Sequence, residues 1–184
     1  RNPADPRVAH QMTLEVDEFG TVLKSVAIAY PRRKPASGED TRYDEQKQTF
    51  ITYTENRVTN KPDEANWYRI GLPVETCTYE ITGAKGSDSE LFTLDDFYKK
   101  HEEGDVLDYC TAEDVPYETV VSGDDPRKRL IEQVRVLYKP NAKAHRLDPP
   151  LDDDNNHRDF SCLELGVVDS LALPYETYKL AFTQ

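Results

Sequence analysis

The chain lacks any apolar run approaching the ~20 residues that a membrane-spanning helix requires. Positive charge is also scarce, since 23 Lys and Arg stand against 35 Asp and Glu and give a formal net charge of -12. Nucleic acids and anionic membrane surfaces are bound through clustered Lys and Arg. The composition therefore argues against both as partners of this chain, and the short basic stretch Arg32-Arg33-Lys34 is interpreted as a surface loop.

Cysteine is sparse and its spacing is uninformative for metal or disulfide chemistry. The three cysteines (Cys77, Cys110 and Cys162) are far apart and form no Cys-x-x-Cys pair. They therefore predict neither a zinc site nor a disulfide framework. Small free thiols in or near the core are the expected state.

Motifs that carry catalysis are missing as well. The four histidines (His10, His101, His145 and His157) are scattered, and no HExxH, GxSxG, phosphate-loop or dinucleotide-binding pattern occurs. Carboxylates are abundant, but none is distinguished as part of an acid–base pair. The sequence thus assigns no catalytic, cofactor-binding or metal-binding residue and predicts a protein that is not an enzyme. A hydrolase acting through an unrecognised carboxylate is left as a third hypothesis.

A five-residue pattern, [Leu/Val]-Pro-x-Glu-Thr, is present three times. The copies are Leu72-Pro73-Val74-Glu75-Thr76, Val115-Pro116-Tyr117-Glu118-Thr119 and Leu173-Pro174-Tyr175-Glu176-Thr177. After the first and third prolines, apolar residues fall at alternate positions, as they do on one face of a strand. Proline is tolerated at the start of a strand, where its missing backbone donor costs little. The copies predict repeated strand units, with each Glu as a rim or turn partner at the edge of a buried face.

Alternation elsewhere predicts a mainly β chain. Strands at 12–16 and 22–30 flank Asp17-Glu18-Phe19-Gly20, where Asp caps the turn and Gly accepts a positive φ. The remaining predicted strands cover residues 49–53, 74–82, 117–121, 129–138 (where a strand is favoured over a helix) and the segment after the last pattern copy. A helix is predicted at 94–103, with Thr93 as N-cap and Asp96 at N3. The predicted fold class is antiparallel β hairpins and sheet with one or two short helices.

An acidic loop offers the one metal-like spacing. Asp152, Asp154 and Asn156 match the first ligand positions of an EF-hand loop, but His157 replaces its glycine and Leu163 its final glutamate. A solvated loop is therefore the favoured interpretation. The alternative to a structural role is a carbohydrate- or calcium-dependent β binding module with residues 145–159 as its site.

The hairpin at 16–25 resembles the YD unit of RHS-repeat proteins, in which two strands flank an Asp-x-x-Gly turn. Further segments follow in the order of one family. These are residues 5–10, 14–25, 51–57, 72–76, 129–132 and 171–183. Together they resemble the middle-to-C-terminal region of the B component of bacterial insecticidal toxin complexes (Tc toxins, SpvB/TcB type). Residues 36–47 and 140–160 contribute little to the resemblance.

The resemblance implies a role and partners. In that family the B and C components form a hollow, RHS-like β-sheet shell around a cytotoxic segment of the C component, and a propeller of the B component docks on the pore-forming A component. Residues 1–184 are then expected to be a single piece of a secreted virulence factor that forms shell wall, without cofactor and without membrane contact. Neither the self-cleaving aspartyl site of RHS shells nor the ADP-ribosyltransferase of some SpvB proteins maps onto this chain. Such a piece is expected to expose unpaired strand edges and apolar patches.

Overall fold

The computed structural model describes residues 6–35, 38–84, 91–101, 104–107, 112–119, 126–144 and 161–180, with the backbone alone at 99–101 and 104–107. The strands in these ranges are β1 (Ala9–Val16), β2 (Val22–Ala29), β3 (Phe50–Lys61), β4 (Arg69–Thr82), β5 (Tyr98–His101), β6 (Gly104–Leu107), β7 (Glu113–Val115), β8 (Arg127–Lys139) and β9 (Leu173–Lys179). Three short 3₁₀ turns accompany them, at Asp44–Lys47, Leu94–Phe97 and Asn141–Lys143.

Seven of these strands form one twisted sheet. Its order is β1-β2-β3-β4-β8, and every pair along this path is antiparallel. The far side of β8 is shared, because β7 pairs in parallel with its first residues and β9 pairs antiparallel with its last. A separate hairpin joins β5 to β6. The predicted fold class, a mainly antiparallel β structure, is confirmed.

The predicted turn between the first two strands forms as its residues dictate. The Gly20 amide donates to the Asp17 carbonyl at 3.0 Å, and Gly20 has a φ of +84°. That backbone conformation is costly for any residue with a Cβ, so glycine is required there. The β8 segment is likewise a strand over its whole length, as its β-branched and aromatic residues predict.

The two faces of the sheet differ sharply. Cross-strand partners point to the same side, and the register places apolar residues opposite one another on one side, here called the covered face. Its buried residues are Leu14, Val26, Ile28, Ile51, Tyr53 and Ile81. The segment 91–98, here called the strap, lies over them and contributes buried Phe92 and Phe97 to the same cluster. The opposite side, here called the open face, carries no residue of this cluster.

The strap is held by hydrogen bonds in both directions. The Phe92 amide donates to the Tyr30 hydroxyl at 2.8 Å, and the Tyr98 hydroxyl donates to the Leu14 carbonyl. Burial of two phenyl rings is worth several kcal/mol in area terms, roughly 2 to 3 kcal/mol for each. The hydrogen bonds fix where those rings enter the sheet.

A second group of buried residues lies outside that cluster, where the segment 161–172 meets β3 and β4. Val74, Tyr138 and Val168 are almost fully buried there. The Tyr138 hydroxyl donates to the Pro73 carbonyl at 2.9 Å, and the Thr59 hydroxyl donates to the Gly166 carbonyl at 2.7 Å. The Thr59–Gly166 bond ties the segment to β3, and the Tyr138–Pro73 bond joins β8 to β4 beside it.

The predicted helix at 94–103 is wrong. Its first turn forms as a 3₁₀ turn, with Thr93 and Asp96 bonded to each other as predicted, but the backbone is extended at Tyr98 (φ -119°, ψ 140°) and continues as β5. Local capping favours a helix there, whereas burial of Phe97 and the Tyr98 hydroxyl bond both require the strap to lie flat. Tertiary packing overrides the weak local preference.

The prolines of the repeated pattern take three different positions. Pro174 is the second residue of β9, which confirms the predicted strand start. Pro73 instead lies inside β4, next to a register shift opposite Arg57 and Val58, so the prediction that it starts the strand is wrong. An irregularity of this kind accepts a residue without an N–H. Pro116 follows β7, and Tyr117 and Glu118 form a turn rather than the predicted strand.

Candidate functional site

A densely bonded polar group of the sheet surrounds Asp17, at the tip of the β1–β2 hairpin. One carboxylate oxygen, Oδ1, accepts from the backbone amides of Phe19 at 3.0 Å and Thr21 at 2.7 Å. The other, Oδ2, accepts from the Asn60 side-chain amide at 2.9 Å. The aspartate of the turn thus binds β3 as well as its own hairpin.

Asn60 extends this contact to a third strand. Its Oδ1 accepts from the Gly71 amide of β4 at 2.7 Å, which fixes the orientation of the side-chain amide and turns its NH₂ towards Asp17. Partial burial of the Asp17 carboxyl raises its pKa, but the Asn60 and backbone hydrogen bonds outweigh this and hold the pKa below 3.8. We call the trio Asp17, Asn60 and Gly71 the clip.

A second polar group lies on the same side as the covered face, where β4, β8 and β9 meet. Glu75 accepts from Gln133 Nε2 at 2.8 Å and forms an ion pair with Arg135. Arg135 stands directly opposite Tyr178 of β9, whose hydroxyl donates to Glu176. Glu75 of the first pattern copy therefore bonds a neighbouring strand, whereas Glu176 of the third copy accepts from Tyr178 of its own strand.

The two described cysteines are free and lie beside these glutamates. Burial, followed by the negative charge of Glu75, raises the pKa of the Cys77 thiol. Burial and Glu176 do the same for the pKa of Cys162. A raised pKa favours the neutral thiol over the reactive thiolate. The expectation of free thiols is confirmed for these two, and Cys110 lies outside the described residues.

In the part of the sheet that the structure describes, Lys128 is a buried cation. Lys128 is 7% exposed, and its ammonium lies 5.1 Å from the centre of the Tyr79 ring and 3.6 Å from Asp114 of β7. Burial raises the pKa of Tyr79, so the ring stays neutral beside this cation. The arrangement joins β4, β7 and β8.

The scattered residues of the sequence do not converge. His10 contacts Tyr30, with 3.2 Å between Nδ1 and the hydroxyl. The structure describes only the backbone of His101, while His145, His157 and the whole acidic loop at 145–159 lie outside the described residues. Within the described ranges, no group of three or more His, Cys, Asp or Glu is placed to hold a metal ion.

Chemically, these groups hold strands together. The carboxylates of Asp17, Glu75 and Glu176 each accept hydrogen bonds from a neighbouring group, and no catalytic function is indicated. Sequence reasoning identified Asp17 through its turn but missed Asn60 and Lys128. Asn60 precedes a turn signal and gives no other hint, and the burial of Lys128 depends on β7, which the sequence did not predict. In the described part of the chain, no helix has the length and apolar character needed to cross a membrane.

The fold and these contacts define a class, an antiparallel β-sheet segment with one covered face and internally paired polar groups. Residues 1–72 match the family model described as "Insecticide toxin TcdB middle/C-terminal region". The match confirms the resemblance to the B component of Tc toxins that the sequence indicates. A search of curated proteins gives no match.

Two solved structures share the fold. The one described as "Crystal Structure of TcdB2-TccC3" has a TM-score of 0.52 and 19% identity, with 95% of this chain and 7% of that chain covered. The one described as "Crystal Structure of TcdB2-TccC3 without hypervariable C-terminal region" has a TM-score of 0.50 and 18% identity, with the same coverage. The chain thus spans about 7% of the length of the solved chains it resembles.

Proposed function

We propose that this chain is a structural segment of a hollow shell, formed by a Tc toxin B component, that encloses a cytotoxic segment of the C component for delivery. The observation that carries the proposal is the match of residues 1–72 to the TcdB middle/C-terminal family, joined to a fold found within TcdB2-TccC3. The partner proposed for this chain is accordingly a C component. Contact with the pore-forming A component is proposed only through the rest of the B component.

The architecture supports a wall. Among the described strands, β1 pairs with β2 alone and β9 with β8 alone, so each offers an edge for a further strand. Large apolar side chains also stand at the surface, including Val16, Tyr68 and Leu171, which are 52%, 58% and 47% exposed. Both features fit a sheet that continues into neighbouring units.

The proposal extends to location and chemistry. The chain acts in a secreted toxin assembly and contributes to virulence there, without catalysis of its own and without a cofactor. The RHS and YD relationship rests on the Asp17–Gly20 hairpin. The alternative, a carbohydrate- or calcium-dependent binding module at 145–159, gains no support from a described contact, and calorimetry with calcium and glycans on Asp154→Ala remains its test.

Protease protection tests the shell directly. The full B component is coexpressed with its C component, and the enclosed segment is followed during limited digestion. We expect the segment to resist digestion in the assembly and to lose that resistance with Tyr53→Asp, because Tyr53 is fully buried in the covered face. The control Tyr43→Asp changes a side chain that is 74% exposed and should keep the protection. Equal digestion of the segment with and without the B component would refute the proposal.

A further inference from the structure

The open face carries a row of hydroxyl side chains. The register places Thr13 opposite Ser25, Ser25 opposite Thr54, and Thr54 opposite Thr78. One row of hydroxyl side chains therefore crosses four strands. The next position in that row is Glu132 of β8, which forms an ion pair with Lys179. We call the four hydroxyl residues the hydroxyl row.

One of the neighbouring rows on this face is small or polar too. A second row runs from Gln11 through Ala27 and Thr52 to Glu80, where Arg129 neutralises the carboxylate. Apolar side chains also stand on this face, at Phe50 (45% exposed), at Leu23, two positions before Ser25, and at Val134 opposite Thr76. The hydroxyl row itself carries no apolar side chain, and the charges that follow the two rows, Glu132 and Glu80, are paired with Lys179 and Arg129.

The described segments leave the hydroxyl row uncovered. The strap packs on the covered face, and residues 161–172 bind where β3 and β4 end. Tyr117 contacts the open face at Arg129, where the Tyr117 carbonyl accepts a hydrogen bond from the guanidinium at 3.0 Å. Within the described ranges, Thr13 is exposed and Ser25, Thr54 and Thr78 are half-buried, whereas the same side of the sheet is buried at Tyr138, near the end of β8.

We propose that the hydroxyl row lines the inner surface of the shell and is the surface that an enclosed, extended polypeptide touches. The inference rests on the proposed function and adds which face is turned inwards. A hydroxyl group both donates and accepts a hydrogen bond, so it can pair with any exposed peptide group regardless of sequence. Such bonds exchange readily with water and contribute only about 0.5 to 1.5 kcal/mol net each. A neutral, hydroxyl-rich surface therefore suits an enclosed polypeptide whose sequence varies and which is later released from the shell.

Single cysteines on the two sides test the orientation. Thr54→Cys places a thiol in the hydroxyl row, and Ser25→Cys provides a second position on it in case the first disturbs assembly. Leu94→Cys marks the other side of the sheet, because Leu94 lies on the strap and is 46% exposed. In the assembled B–C complex, each variant is treated with N-ethylmaleimide or with a maleimide bearing a long poly(ethylene glycol) chain, and labelling is measured as the increase over the unsubstituted protein.

We expect all three variants to react with the small reagent, and Leu94→Cys alone to react with the polymer reagent. Polymer labelling of Thr54→Cys and Ser25→Cys, with protection of Leu94→Cys, would overturn the orientation and leave the shell intact. Polymer labelling of all three positions would mean that neither face is enclosed, and the proposed function itself would then fail.

Discussion

At the scale of single residues, the clip shows how a local turn signal acquires a distant partner. Asp17 needs a hydrogen-bond donor at both oxygens, Asn60 donates to one of them, and Gly71 fixes the asparagine. The turn is predictable from Asp-x-x-Gly, because its bonds are local. The Asn60 contact, 43 residues away, depends on the register of β3 and is not predictable from the pattern.

Exchanging the two clip side chains gives a sharp test. Asp17→Asn should destabilise the protein, since its NH₂ would face the NH₂ of Asn60, and Asn60→Asp should do so by placing two carboxylates together. The double variant Asp17→Asn/Asn60→Asp restores one donor and one acceptor and should recover most of the lost melting temperature. Additive losses in thermal denaturation of the four proteins would contradict the clip.

The clip also predicts a pH dependence. The folded pKa of Asp17 lies below 3.8, so the stabilisation is fully present above that pH and is lost as the pH falls through the folded pKa. Denaturation curves below pH 4 should therefore show a smaller acid dependence in Asp17→Ala than in the original protein. Identical acid dependence of the two would rule out this contribution.

Backbone strain provides a stabilising substitution. Ala172 has a φ of +48°, and its amide donates to the Asp169 carbonyl at 2.9 Å. Ala172→Gly should raise the free energy of unfolding by about 0.5 to 1 kcal/mol, since the relief of left-handed strain exceeds the added entropy of the unfolded glycine. Urea denaturation measures this. Ala29→Gly, on an ordinary strand position of β2, should instead lower stability by about 0.5 to 1 kcal/mol.

The two free thiols give a paired test of the glutamates beside them. Glu75→Gln removes the negative charge beside Cys77 and should speed its alkylation, because the thiolate fraction grows about tenfold for each unit by which the pKa falls. Glu176→Gln should do the same for Cys162 alone. Mass spectrometry of the labelled peptides separates the two sites, and equal acceleration at both cysteines in either variant would contradict the local cause.

At the scale of elements, the strap departs furthest from the structure that its sequence predicts. Strands β1 and β2 follow from alternation and turn chemistry, and β8 follows from its β-branched and aromatic residues, all of which are local properties. The strap has good helix caps, yet it lies extended from Tyr98, because Phe97 and the hydroxyl of Tyr98 find their partners on the sheet. The prediction that Pro73 starts a strand is wrong for a related reason, since the register shift beside Pro73 is a property of the β3–β4 pairing.

Truncating the strap tests its contribution. Phe97→Ala should cost about 3 to 5 kcal/mol of unfolding free energy, because the ring is fully buried among sheet residues. Leu94→Ala, three residues earlier and 46% exposed, should change it by less than about 0.5 kcal/mol. Urea denaturation compares the two, and similar losses would mean that the strap does not anchor through Phe97.

At the scale of the whole molecule, the open edges of β1 and β9 lead us to expect that the sheet continues into neighbouring units. The isolated chain should self-associate through its free edges, and Thr13→Lys should weaken this by placing a charge at the middle of β1. Thr54→Lys puts the same charge on the same face, two strands inwards, and should leave edge pairing unchanged. Sedimentation velocity reports the association state. Equal effects of the two lysines would locate the contact on the open face instead of the edge.

The clip also has a consequence for the order of events in folding. Hairpins β1–β2 and β3–β4 each close over short chain separations, whereas the bond from Asp17 to Asn60 joins one finished hairpin to the other. Interactions absent from the transition state govern the unfolding rate. Asn60→Asp removes the donor to Asp17 while keeping the turn bonds of Asp17 and an acceptor for Gly71, and it is therefore expected to shorten the lifetime of the native sheet while leaving its rate of formation nearly unchanged. The clip would then act as a late-forming latch that sets how long the assembled wall persists.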